Sequence, residues 1–187
     1  MESFLPHVEA ESLHRWSEIY LESVKRLLAI FALLASLAGA AEVTSAPELE
    51  TLVSAAVQGS SLTIVHFWAP WCPNCKSELK NGEWTKFVVG HPEIKVIFIT
   101  AWNDKQGLDL LTKYGLGTQP NFVSYLHPNH SRKREDKLST FLGLPVTWIP
   151  TTWIFKDGKL RYALNYGEIH FDMLQQLVDD STNAWKH

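Results

Sequence analysis

Cysteine is scarce in this 187-residue chain: only Cys72 and Cys75 are present, with two methionines besides. Two cysteines exclude the framework of structural disulfides that staples small secreted domains. They also exclude a four-thiolate zinc site, and no second Cys/His pair at ligand spacing completes a mixed one. A surplus of one charge is missing as well. The formal net charge is −3, from 17 Lys and Arg against 20 Asp and Glu. Residues 1–40 carry −2 of that, so the rest is close to neutral and shows no electrostatic footprint for nucleic acid. No internal repeat, low-complexity tract or glycine-rich flavin or nicotinamide motif is visible, and no cofactor is expected. The apolar stretch from Leu27 to Ala41 covers fifteen residues, short of the ~20 that cross a bilayer comfortably.

What is present centres on Phe67-Trp68-Ala69-Pro70-Trp71-Cys72-Pro73-Asn74-Cys75-Lys76. Leu62 to Trp68 is apolar and β-branched, which predicts a strand buried on both faces. Lys76 to Val89 contains no glycine but Gly82 and predicts a helix, with Pro73 suited to its first turn. Cys72 then stands just outside a helix N-terminus, where unpaired N–H groups and the helix dipole stabilise a thiolate. The thiolate is the form that attacks disulfides, so this position activates Cys72. Cys75, inside the first turn, is placed to resolve a mixed disulfide. The alternative, two buried or zinc-binding cysteines, lacks the further ligands it needs.

This stretch resembles the active-site segment of the thioredoxin superfamily. Glu78, three residues after the second cysteine, is similar to the Cys-x-x-Glu continuation of the TlpA/ResA/CcmG group of extracytoplasmic thiol-disulfide proteins. A second, distant match runs from Ile149-Pro150-Thr151-Thr152 through Trp153-Ile154-Phe155-Lys156 to Asp157-Gly158-Lys159, and it resembles the family's cis-proline loop, following strand and Asp-Gly hairpin. The likeness covers roughly residues 45–180. It implies an α/β thioredoxin-like fold, a central mixed sheet flanked by helices, with the α/β insertion of the TlpA group. It implies further that Pro150 packs against the cysteine pair, and that the backbone of Ile149 pairs with an extended substrate segment.

The N-terminal part reads differently. Lys25-Arg26, the apolar Leu27 to Leu37 and the small-x-small Ala38-Gly39-Ala40 form an export signal over residues 24–40, with cleavage after Ala40 expected and a retained membrane anchor the alternative. Residues 1–23 carry five glutamates, unlike a basic n-region, and suggest a true start near Val24. Residues 41–187 form the domain. Within it, Glu42 to Gln58 reads as a lead-in helix, Ile94 to Thr100 as a second central strand, and Lys105 to Tyr114 as a helix capped by Asn103 or Asp104. Asn121 to Leu126 reads as a strand, Ser131 to Leu142 as a short exposed helix, and Thr151 to Leu164 as a hairpin through Asp157-Gly158. Phe171, Leu174, Leu177 and Val178 give a C-terminal helix one apolar face. The run Arg132 to Lys137 mixes signs and reads as a solvated face.

Four further residues are candidates for the site. Trp71 and Trp148 are expected to floor the substrate groove or to serve the core. His66 occupies a strand position where thioredoxin holds a buried acid, and reads either as a proton relay or as a core histidine with one hydrogen bond. Glu78 could accept a proton or raise the cysteine pKa values; a solvated surface carboxylate is the alternative. His91, His127 and His130 fall in expected loops and read as exposed.

These features together predict an exported, monomeric thiol-disulfide oxidoreductase of the periplasmic or extracytoplasmic space. It would act on protein disulfides through Cys72 and Cys75, in the reductive direction, and draw electrons from a membrane donor. An apocytochrome, a copper-site assembly factor or a misoxidised protein would serve as substrate. A disulfide oxidant or isomerase, or a Cu(I)-binding metallochaperone on the same fold, is the alternative.

Overall fold

The computed structural model describes residues 45–165 and 167–183. The expected signal at 24–40 and the extension at 1–23 lie outside the described residues.

Helix α1, Ala46–Val57, starts where Ser45 Oγ accepts the Glu48 N–H at 3.4 Å, and it buries Leu49, Val53 and Val57. Strand β1, Thr63–Trp68, is buried at all six positions. It lies between parallel β2, Lys95–Thr100, and antiparallel β6, Thr151–Lys156. Strand β3, Phe122–Leu126, extends the sheet beyond β2, and β7, Lys159–Leu164, extends it beyond β6, giving the order β3-β2-β1-β6-β7. A mixed sheet with a doubly buried centre needs helices on both faces. On one face Ile64, Trp68 and Phe98 pack with Leu79 and Trp84. On the other, Val65, Phe67 and Trp153 pack with Leu49 and Val53 of α1. The period-2 alternation of a strand thus divides β1 between two cores.

The β1–β6 register positions the site. Phe67 stands opposite Thr151, so the chain leaving β1 toward Cys72 meets the chain entering β6 at Ile149-Pro150. Seventy-odd residues of sequence separation vanish because these two strands are neighbours.

After the cysteines the helix breaks at Gly82, whose φ is +65°, into α2, Pro73–Lys80, and α3, Glu83–Gly90. Helix α4, Leu108–Lys113, is shorter than expected and is not capped by Asn103 or Asp104: it begins after Gly107, at φ +76°. A Cβ on Gly107 would fall 2.5 Å from Pro70 Cγ and 2.9 Å from Trp68 Cη2, so the close approach itself requires glycine. Leu108 is exposed; Leu111 carries the burial.

The expected helix over 131–142 is absent. Turns occupy 133–137, then β4, Thr140–Phe141, pairs with β5, Leu144–Pro145, around Leu142 and Gly143 at positive φ. Leu138, Phe141 and Val146 are drawn into the α1-side core, and the positive φ at Leu142 and Gly143 between them turns the chain back as a hairpin. The β6–β7 hairpin turns at Asp157 and Gly158, φ +52° and +73°. Helix α5, Phe171–Thr182, closes the cysteine-side core with Leu174 and Val178.

Candidate active site

Cys72 is the N-cap of α2, with extended backbone (φ −71°, ψ 124°), and its Sγ accepts the Cys75 N–H at 3.5 Å. Pro73 follows at the first helical position, where a missing N–H costs nothing. Both cysteines are buried free thiols. The Cys72 pKa is lowered from 9.0 to about 6, chiefly by the hydrogen bond from the Cys75 side chain and then by the backbone N–H groups of Cys75 and Asn74; burial and the charge of Glu78 oppose the shift. Cys75 moves the other way. Burial first, then its hydrogen bond to Cys72 and the nearby Cys72 and Glu78 charges, hold it far above the ordinary thiol range. One sulfur is therefore an anion at neutral pH and the other a proton donor.

Across the gap, the Cys72 thiol points at the Ile149 carbonyl at 3.6 Å. The Ile149–Pro150 peptide bond is cis. Thr151 Oγ1 donates to the Trp148 carbonyl at 2.9 Å and fixes the turn into β6.

Beneath the pair, Glu78 lies on α2 one turn after Cys75 and is 2% exposed. Its Oε1 accepts the Ile169 N–H at 2.7 Å; its Oε2 accepts the Trp84 indole N–H at 3.4 Å and lies 3.2 Å from His66 Nε2. All these partners donate, which suits a carboxylate. His66 projects from the centre of β1 between the rings of Trp84 and Phe98, at 4.8 and 4.6 Å, and its Nδ1 stands 2.9 Å from Thr152 Oγ1. With Nε2–H turned to Glu78, Nδ1 accepts from the threonine hydroxyl, a tautomer assigned from the network.

Above the pair a groove of about 490 Å³ opens beside Cys72, walled by Trp71, Trp102, Trp148 and Ile149. Trp71 Nε1 donates to the Trp102 carbonyl at 3.1 Å, and Trp102 Nε1 to the Leu138 carbonyl at 3.0 Å. The Arg132 guanidinium lies 4.0 Å over the Trp71 ring, and Lys137 Nζ lies 4.5 Å over the Trp102 ring.

Comparison with known proteins places this geometry. Residues 50–182 match the family described as the thioredoxin-like domain. The chain belongs to the thioredoxin-like family. It is 26% identical over 125 residues to the sporulation thiol-disulfide oxidoreductase A of Bacillus subtilis, covering 66% of this chain and 65% of that protein. It is 30% identical over 84 residues to mouse glutaredoxin-3, covering 45% of this chain and 23% of the relative. The chain thus spans less than two thirds of the curated relatives it matches. A secreted Mycobacterium tuberculosis disulfide oxidoreductase, homologous to DsbE of E. coli, has a similar fold: TM-score 0.50, 21% identity, covering 67% of this chain and 85% of that one.

Within this family framework, the residues singled out from sequence fall into one site. Cys72, Trp71 and Ile149 line the groove, with Cys75 buried behind Cys72 and Pro150 next in the chain after Ile149. Trp148 joins the lining with 59% of its surface exposed, so it serves the groove and not the core. Glu78 is buried, so the solvated reading fails, and His66 has two partners where one was expected. Arg132 to Asp136 are exposed and Lys137 is half-buried, as a solvated face requires, and the two end residues, Arg132 and Lys137, also line the groove. His127 is 2% exposed and not a surface residue: its ring packs on Phe141 and its Nδ1 accepts the Asn129 N–H at 3.0 Å, while burial lowers its pKa. His91 is held by Gln175 at 2.7 Å, and neither histidine approaches the cysteines through any described contact. Among the described residues no cluster of three or more His, Cys, Asp or Glu side chains could hold a metal ion. Sequence reasoning missed Trp84 and Trp102. An aromatic residue two positions after a helix-breaking glycine, as Trp84 is after Gly82, was the one available signal.

Proposed function

We propose that this chain is an exported protein-disulfide reductase that works through Cys72 and Cys75. The observation that carries the reading is the opposed pair of thiols: Cys72 near pKa 6 at a helix N-terminus, and Cys75 held protonated beside it. The Cys72 thiolate attacks one sulfur of a substrate disulfide, forming a mixed disulfide and expelling the other sulfur as a thiolate. Cys75 then gives up its proton and attacks Cys72 Sγ. A lone pair of Cys75 becomes the Cys72–Cys75 bond, and the second substrate sulfur leaves as a thiolate with the electron pair of the broken mixed disulfide. The substrate thus gains the two electrons that the cysteine pair loses. Glu78, one turn from Cys75 and linked to His66, is the base we assign to the Cys75 proton, with His66 holding and orienting it. Trp71, Ile149 and Pro150 form the substrate-binding surface.

The same numbers support the reductive direction. A Cys72 pKa of about 6 is closer to the ~7 of thioredoxin than to the ~3.5 of the oxidant DsbA. The less a thiolate is stabilised, the weaker the drive to accept electrons, and the Glu78 charge works in that direction. The reset needs a dithiol donor, for which a membrane protein carrying electrons outward is the fitting class. Export rests on the signal-like residues 24–40, and the similarly folded Mycobacterium tuberculosis disulfide oxidoreductase is a secreted protein.

The deciding experiment is the reduction potential of the purified chain against glutathione. A value near about −270 mV supports a reductase, and one near about −120 mV points to an oxidant instead. In parallel, Cys72→Ser should abolish exchange while Cys75→Ser accumulates a mixed disulfide detectable by mass. Turnover surviving in Cys72→Ser overturns the mechanism.

A further inference from the structure

We propose that Arg132 and Lys137 form a selectivity edge on the groove, favouring extended protein segments that carry an acidic residue beside the reacting cysteine. The proposal rests on the exchange reading above and names the partner that reading leaves open.

The groove wall is otherwise uncharged and mostly apolar, and the only charged residues lining it are these two cations. On a chain of net charge −3 that is a local reversal of sign. Among the described residues neither forms an ion pair, so each brings an uncompensated charge to the rim. Their placement is built. Lys137 precedes Leu138, which is buried and whose carbonyl is bonded by Trp102 Nε1. Trp102 in turn accepts from Trp71, the residue next to the nucleophile. A guanidinium held 4.0 Å over an indole ring retains N–H groups that can meet a carboxylate, and that contact lowers the entropy cost of ordering it.

The opposite side of Trp71 differs. The hollow there is lined by Asp104, Asp109 and Lys105, a net negative set. An acidic flank is drawn to one side of Cys72 and repelled from the other, so the charge pattern selects an orientation as well as a composition.

The test uses the reduced full chain and short peptides with one intrachain disulfide. The peptides are identical except that Glu, Gln or Lys stands beside one cysteine. Oxidation rates are read by tryptophan fluorescence. The Glu peptide should react about fivefold faster than the Gln peptide at low salt, the Lys peptide slowest, and the ratio should fall toward one at high salt. In the Arg132→Gln/Lys137→Gln variant the Glu/Gln ratio should be near one already at low salt. Lys159→Gln, at the far end of the β6–β7 hairpin, should keep it. Equal rates for Glu and Gln peptides in the native protein, or a ratio that survives the double variant, overturns the proposal. Docking is read without chemistry by anisotropy, using serine versions of the peptides and the Cys72→Ser protein. The same order of binding without any exchange would bring down the reductase reading and keep the selectivity edge. Exchange at one rate, with equal binding, would do the reverse.

Discussion

Beneath the cysteines, Glu78 and His66 commit every side-chain polar atom to a protein partner, at 2% and 1% exposure. Above them, Arg132 and Lys137 rest against indole rings and keep their charges toward the groove. The two regions flank the same nucleophile, one through the Glu78 charge and the other across a shared groove, and obey different physics. In the interior, low dielectric makes each contact strong and each missing partner costly. At the rim, water and salt weaken every charge pair, so interactions there are weak, reversible and selective. The lower region sets how the sulfurs react; the upper one sets what reaches them.

The largest expected difference is in stability. Glu78→Ala strands the Ile169 N–H, the Trp84 indole N–H and His66 Nε2 in the core, and should cost about 3–5 kcal/mol. Arg132→Ala should change stability by less than about 1 kcal/mol. Urea unfolding of the reduced proteins at pH 7 measures both. Equal midpoints would erase the contrast between the two regions.

Next in size is the pH response of Cys72. Its rate of alkylation by iodoacetamide should rise with a midpoint near pH 6 instead of near 9. Linkage fixes the sign for stability. Between pH 6 and 9 the unfolded thiol still holds a proton that the folded protein has released. The stability contributed by Cys72 therefore grows with rising pH across that window and is lost as pH falls through 6. Glu78→Gln removes a charge that opposes the thiolate, so its alkylation midpoint should move below that of the native protein, by under about one unit. A midpoint that moves upward would mean Glu78 acts through packing and not charge.

Legibility from sequence divides along the same line. The strand, the cysteine pair and the helix after it were readable because periodicity, Pro73 and the separated Ile149-Pro150 stretch all point one way. The Glu78–His66 pair was not. The two residues are twelve apart on different elements, and only the docking of α2 onto β1 closes them to 3.2 Å. Trp84 reaches Glu78 only because Gly82 turns the chain between them. The selectivity edge was hidden for another reason. Local composition made 131–142 look like a solvated helix, whereas Leu138 and Phe141 anchor it in the core as a turn and a short hairpin. Charges on a segment pinned at such points are aimed, and a count of signs does not reveal aim.

The smallest expected effect is the most telling for the contrast. Glu78 and Arg132 share no partner in any described contact: one is bonded within the core by Ile169, Trp84 and His66, the other lies on Trp71. If the two regions are separate, the unfolding free energy changes of Glu78→Gln and Arg132→Gln should add within about 0.5 kcal/mol in the double variant. The Cys72 alkylation midpoint of that variant should equal the one set by Glu78→Gln alone, because Arg132 is not among the groups that shift Cys72. A larger coupling would require a path from the interior carboxylate to the rim. Cys72 lines the groove with Arg132 and feels the Glu78 charge, so coupling would make the nucleophile the conduit through which a docked acidic segment changes the reactivity of the pair.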